Sequence, residues 1–161
     1  MRWDEYFRKR SIVIRKAVES DAQQLWQLMK GLAVFEKYID DFAITPEVVV
    51  NSGFRKNPPD FYSFVAADGD KLAGMIVYYF LPYTLHNRPA VYIKELYVDE
   101  AYRGQKIGEK LMLALQKEAR AHNCVQIKWT VAPWNEGGQR FYARLGAQQD
   151  NEWLNYVWSL D

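Results

Sequence analysis

The succession of apolar periods along this 161-residue chain predicts a mixed α/β (α+β) fold, a sheet with helices packed against it. Short apolar runs bounded by turn residues read as strands. Longer stretches with apolar residues three and four apart read as helices. The elements follow in the order β-α-α-β-β-β-α-β-α-β, with three strands in succession, so a simple alternating parallel sheet is not expected.

Each element has a local reason. "SIVIRKA" is a short strand at Ile12 to Lys16. Ser20 or Asp21 can cap a helix running to about Leu32, with Leu25, Leu28, Met29 and Leu32 on one face. "FEKYIDDFAIT" is an acidic, aromatic connection, after which Pro46 opens a short helix. "FYSFVAA", "DGD" and "KLAGMIVYYFL" form a hairpin. "VYIKELYV" is the fourth strand and "VQIKWTV" the fifth, with a helix from about residue 107 to 122 between them. "EGGQRFYARLG" is a helix stopped by Gly146, and "WLNYVWSL" is expected as a final strand. No repeat or linker interrupts this order, so residues 1–161 are expected to be one domain, with 1–11 as an N-terminal extension.

Composition narrows the function. Hydrophobic residues make up 49%, enough for a packed core. A formal net charge of +1, with Lys and Arg dispersed, gives no push toward nucleic acid or an anionic membrane. Cys124 is the only cysteine, so an intrachain disulfide is impossible and a reducing, cytoplasmic setting is expected. Cys124 itself reads as a small buried residue. No apolar run reaches membrane-spanning length, and "MRWDEYFRKR" lacks the apolar core of a signal segment. His86 and His122 lack partners at metal-ligand spacing, and no metal is expected.

The stretch "YRGQKIGEKL" carries the first functional signal. Ile107, Leu111, Leu115 and Ala119 recur every four residues, so the helix has a buried stripe. Gly104 and Gly108 sit at its opening turn, not at its end, where a stop signal would stand. The first amides of a helix have no internal partner and carry partial positive charge. Glycines there let a phosphate approach, and Arg103 and Lys106 add charge, so the stretch reads as a pyrophosphate cradle. A tight strand-to-helix turn is the plain alternative.

"LYVDEAYRGQKIGEKL" resembles the coenzyme A motif of the GNAT acetyltransferase superfamily, opened here by Arg103 and closed by Gly108. Lys106 stands where that family most often has its middle glycine. "APWNEGGQRFYARLGA" resembles the family's second signature. "LAVFEKYIDDFAITPEVVVNSGF" and "LAGMIVYYFLPYT" are similar to the diamine (spermidine/spermine-type) N-acetyltransferase branch, with a resemblance extending over about residues 13–147. It implies a GNAT-type, mostly antiparallel sheet splayed between its fourth and fifth strands, with helices on both faces. It also implies acetyl-CoA as co-substrate, direct attack by a primary amine in a ternary complex, and a homodimer.

The same resemblance implies site residues. Leu96, Tyr97 and Val98 would line the pantetheine arm through their backbone, with freed groups at Leu96 and Val98 polarising the acetyl carbonyl. Arg103, Gly104, Gln105, Lys106, Ile107, Gly108 and Glu109 would cradle the pyrophosphate. Asn135 would hydrogen-bond the cofactor, and Tyr142 would be the general acid for the leaving thiolate as well as a cofactor contact. Without the resemblance Tyr142 reads as a core aromatic. Trp129 and Trp134 flank the proposed cleft or belong to the core.

The amine side departs from the branch's pattern. Two adjacent carboxylates are usual on the fourth strand, but here the pair is Lys94-Glu95. A primary amine with a pKa near 10.4, about that of lysine, must lose a proton before it attacks. Strand alternation places Glu95 on the face opposite Lys94. Glu95 is therefore either a contact for a distant substrate amine or a catalytic carboxylate working through water. Lys94 is either a substrate contact or a surface cation. Glu36 aligns with a substrate-contacting glutamate, and Asp40 and Asp41 read as solvated loop residues. Two other classes stay open: an acyl-CoA-binding regulatory protein in which Lys94 has ended catalysis, and a protein or peptide N-acetyltransferase.

Overall fold

The computed structural model describes residues 11–161. Nearly all of the expected N-terminal extension lies outside the described residues. The chain falls into two compact units, one ending at Trp129 and the other comprising Thr130–Asp161.

The first unit is built on a five-stranded sheet in the order β1-β2-β3-β4-β5, with β1 Ile12–Lys16, β2 Tyr62–Asp68, β3 Lys71–Leu81, β4 Ala90–Val98 and β5 Ile127–Lys128. The first four strands pair antiparallel and β5 joins β4 in parallel. The strand β3 is central, and a run of seven residues from Leu72 to Tyr78 is buried. Such a continuous apolar strand needs cover on both faces. Helix α1, Ala22–Phe35, and the short α2, Pro46–Val50, cover one face through Leu25, Leu28, Met29 and Val49 against Val65, Met75 and Val77. Helix α3, Ile107–Ala121, turns Ile107, Leu111, Met112, Leu115 and Ala119 inward. Gly74 faces α3: a Cβ there would meet Ile107 and Leu111 at 3.4 Å and the Tyr97 carbonyl oxygen at 3.0 Å. The predicted mixed sheet with helices on both faces is therefore present.

Polar ties fix α1 on the sheet. Gln24 donates to the Asp70 carbonyl and accepts from the Leu72 amide, pinning α1 to the β2–β3 turn. Trp26 donates through Nε1 to the Ile44 carbonyl. Thr45 caps α2 by accepting from Val48, with Pro46 in the first turn as expected. A π-helical turn, Asn51–Arg55, continues α2.

Four local expectations are corrected. Asp21 does not cap α1 with its side chain: its carboxylate takes two hydrogen bonds from Arg15 and one from the Val18 amide. Only Ile127 and Lys128 of "VQIKWTV" form strand, because β4 and β5 pair at two positions alone. "WLNYVWSL" forms no strand, and its apolar side chains are uncovered, Trp153 at 75% and Trp158 at 91% exposure. A lone extended segment has no ladder to join, and strands are not stable without partners. The second unit contains one helix, α4, Glu136–Arg144, followed by Gly146 in a left-handed conformation at φ +90°. Cys124 is half-buried rather than buried.

Asp21 gives a direct test of what ties β1 to the start of α1. Its carboxylate is almost fully covered, while Arg15 keeps 38% of its side chain exposed. The hydrogen bonds from Arg15 are the main reason that its pKa lies below the ordinary value. Asp21→Ala is expected to destabilise the fold by about 2 kcal/mol, less than for a fully buried pair. A depressed folded pKa means that this stabilisation is complete above the unfolded value, near 3.9, and is lost as pH falls through the lower folded value. Urea titrations of both proteins at several pH values check this: the gap should be constant near neutrality and close in acid.

Candidate active site

The geometry of β4 organises the site. Val77 pairs with Glu95 and Tyr78 with Ile93, so Lys94 has no partner on β3 and forms a bulge. Simple alternation therefore fails here. Paired residues share a face, so Glu95 lies on the face of Val77 and Met75, under α1. The Lys94 ammonium lies 5.7 Å from the centre of the Phe61 ring, and Phe61 packs in the same cluster as Val77. Lys94 and Glu95 thus reach the same face, not opposite ones.

The bulge is followed by an open strand edge. The Asp99 amide donates to the Ala73 carbonyl, which sets the phase of the β3–β4 ladder. Tyr97 and Glu95 then point their backbone groups at β3, and Leu96 and Val98 point theirs the other way. Beyond Tyr92 that side has no partner from β5.

Next comes the loop into α3. Asp99 caps a 3₁₀ turn, Glu100–Tyr102, by accepting from the Ala101 amide. The Tyr102 hydroxyl donates to Asp68 at 2.6 Å, tying the turn to the end of β2. Asp68 is the main reason that the Tyr102 pKa is pushed up to about 12. Gly104 follows at φ +81°, where a Cβ would meet nothing within 4 Å. Lys106 has φ +60° and stands at the cap position of α3 without a side-chain cap. That left-handed conformation favours glycine, so the lysine is held at some cost. The first helix-type bond returns from the Lys110 amide to the Lys106 carbonyl. Among the described residues, the amides of Gly104, Gln105, Lys106, Ile107, Gly108 and Glu109 have no acceptor. Arg103 does not extend away from the fold: Nε donates to the Val98 carbonyl, and its guanidinium lies 5.3 Å from the Phe35 ring and 5.8 Å from that of Tyr97.

An acidic cluster lies across the face from this loop. Glu95 Oε2 is buried without a hydrogen-bond partner. Burial raises the Glu95 pKa, Lys94 opposes the rise, and Glu36 adds to it. Glu36, just past α1, is itself raised by partial burial. Tyr38 is pushed up to about 12, mainly by burial, then by the charges of Glu95 and Glu36. No local sequence pattern singles out Tyr38 or Tyr102. Tyr102 meets a partner 34 residues away, a pairing that no local pattern carries.

In the second unit, Asn135 caps α4 by accepting from Gly138 at 2.9 Å, so one end of its carboxamide is committed to the helix. Tyr142 lies on α4 beside Phe141, with ring centres 5.3 Å apart. Trp134 is half-exposed at 50%. Among the described residues, no group of three or more His, Cys, Asp or Glu side chains is gathered as a metal site. No helix among them is long and apolar enough to cross a membrane.

Comparison with known proteins gives this arrangement a class. The model of the Acetyltransferase (GNAT) family matches residues 22–147. The chain belongs to that family and is an N-acetyltransferase. It is 34% identical over 154 residues to mouse (Mus musculus) thialysine N-epsilon-acetyltransferase, with 89% of each chain covered. It is 29% identical to human (Homo sapiens) spermidine/spermine N(1)-acetyltransferase-like protein 1, covering 83% of this chain but 20% of that longer protein. The fold is shared with an aminoglycoside acetyltransferase from an uncultured soil metagenomic sample, at TM-score 0.78 and 21% identity over 93% of this chain and 97% of the other.

Glu95→Gln tests the electrostatics of the cluster. A carboxyl whose folded pKa is raised holds its proton more tightly in the folded chain. Stability then falls as pH rises from the unfolded value, near 4.3, through the folded one. The variant is expected to be more stable than the parent at pH 7, by roughly 1–2 kcal/mol. The difference should vanish in acid. Thermal melts across pH check it, and a variant less stable than the parent at pH 7 contradicts the buried, unpartnered carboxylate.

Proposed function

We propose that this acetyltransferase takes its acetyl group from acetyl-CoA and transfers it to a primary amine of a small molecule, with polyamines, diamines and amino acids bearing a side-chain amine as the candidate acceptors. The observation that carries the reading is a juxtaposition on β4. The amides of Leu96 and Val98 face away from β3 on a side that β5 does not reach, and Glu95 stands between those residues and the bulge. The relatives named for thialysine and for spermidine/spermine support an amine acceptor.

The residues present fit coenzyme A. The uncommitted amides of residues 104–109 offer donors for a pyrophosphate, and the space before Gly104 is open. Lys106 adds positive charge at the same turn. Bound acetyl-CoA supplies an activated acetyl thioester. The outward amides of Leu96 and Val98 orient the pantetheine arm and stabilise negative charge developing on the carbonyl oxygen. Glu95, with Glu36 nearby, holds the acceptor amine and takes up the proton that it releases, directly or through water. Tyr142 donates its hydroxyl proton to the leaving sulfur, and Asn135 contributes its free amide end to cofactor binding. The products are an N-acetyl amine and the free thiol. A single domain, a cytoplasmic setting and a homodimer belong to the same proposal; for the last, the uncovered apolar run at residues 153–160 is the supporting feature.

The experiment is acetyl-CoA consumption across polyamines, lysine analogues, aminoglycosides and peptides. Small primary amines are expected to exceed peptides in kcat/KM. Gly108→Val should weaken acetyl-CoA binding by crowding the helix start. Tyr142→Phe should lower kcat by about 10²–10⁴-fold while cofactor affinity is kept. Cofactor binding without turnover of any amine would favour the regulatory reading instead. Full turnover by Tyr142→Phe would remove the acid.

A further inference from the structure

The bulge in β4 does more than turn the strand. Lys94 has no β3 partner, and its exposed side chain is laid over Phe61 on the face where Glu95 Oε2 is buried. Two opposite charges are thus presented to one face from adjacent residues whose α-carbons are about 3.8 Å apart. Glu95 Oε2 has no hydrogen-bond partner, and Lys94 makes no ion pair with any described residue. A pair between the two would satisfy both, yet the structure holds Glu95 inward and the Lys94 ammonium out over an aromatic ring. An uncommitted cation beside an uncommitted anion is complementary to a molecule that carries both charges.

We propose that Lys94 is a specificity-determining residue that binds a carboxylate on the acceptor, so that the site selects an amino acid bearing a side-chain amine over a diamine or polyamine. This rests on the amine acetyltransferase reading above and narrows its acceptor. The acceptor amine lies on the Glu95 and Glu36 side, where two carboxylates favour a cation. Its carboxylate lies toward Phe61, where Lys94 meets it. A polyamine placed the same way would bring a second ammonium against Lys94, a like-charge contact that works against binding. Charge-assisted hydrogen bonds between an ammonium and a carboxylate are among the stronger polar contacts, so the discrimination is large enough to measure.

The test compares acceptors that differ only in the carboxylate: L-ornithine with putrescine, and L-lysine with cadaverine, with spermidine alongside. The parent enzyme should favour each amino acid over its decarboxylated partner in kcat/KM, mainly through KM. Lys94→Gln should reduce that ratio about tenfold or more, the scale of a lost hydrogen bond to a charged group. Lys94→Arg should keep it, and Lys94→Glu should move preference toward putrescine, cadaverine and spermidine. Because Lys94 is exposed, cooperative melting transitions are expected for every variant, with Lys94→Arg at the parent's melting temperature, and would exclude misfolding as the cause. A parent enzyme that prefers the decarboxylated amines overturns the proposal, as does a ratio indifferent to Lys94→Gln. If no amine is acetylated although acetyl-CoA binds, the amine acetyltransferase reading fails and the role of Lys94 falls with it. If diamines and amino acids are both turned over without discrimination, only the role of Lys94 falls.

Discussion

One extra residue in β4, Lys94, is the constraint on which the site depends. A strand pairs residue for residue unless one side carries an insertion, and here β3 has no partner for Lys94. Its consequence is local and threefold. It breaks the in-and-out alternation, so that Lys94 and Glu95 reach the same face. It brings Glu95 under α1, close enough to interact with Glu36 and Tyr38. It also lies where β4 parts from β5, whose pairing ends at Tyr92. Past the bulge the ladder with β3 resumes and runs to Val98, and the Asp99 amide still donates to Ala73.

The electrostatics follow from that geometry. Most polar groups in this unit are paid for by partners: Asp21 by Arg15 and Val18, Asp68 by Tyr102, Gln24 by the β2–β3 turn. Among the described residues Glu95 is the exception, with a buried oxygen that has no hydrogen-bond partner. The run of amides at residues 104–109, without acceptors among the described residues, is a second set of opposite polarity. An unmade hydrogen bond is costly where it is buried, as at Glu95 Oε2, whereas the amides that open α3 face solvent as the first amides of a helix do. Arg103 donates to the Val98 carbonyl while its guanidinium lies near the rings of Phe35 and Tyr97.

Much of this was legible in the sequence because its causes are local. The strand at Ile12–Lys16, the hairpin of β2 and β3, and the stripe of α3 follow from period and turn chemistry alone. The helix start in "YRGQKIGEKL" was readable because the apolar stripe begins at Ile107. What escaped was non-local. Alternation assumes an unbroken ladder, so the bulge at Lys94 was invisible and Glu95 was assigned to the wrong face relative to it. "WLNYVWSL" has the composition of a strand, but a strand needs a neighbour, and composition does not supply one. Asp21 looked like a helix cap; its use by Arg15 depends on where β1 ends. The left-handed Lys106 shows the reverse case: its place in the motif marked a glycine position, and the backbone there has the conformation that glycine favours.

The central claim is that β4 turns the unpaired amides of Leu96 and Val98 outward, beside a carboxylate held on the α1 face. Amide hydrogen exchange by NMR, on the free protein and with acetyl-CoA added, tests it most directly. The account predicts that Leu96 and Val98 exchange many times faster than Glu95 and Tyr97, which bond to β3, and that both become protected when acetyl-CoA is present. Equal protection of all four amides in the free protein, or no change at Leu96 and Val98 on adding acetyl-CoA, would contradict it.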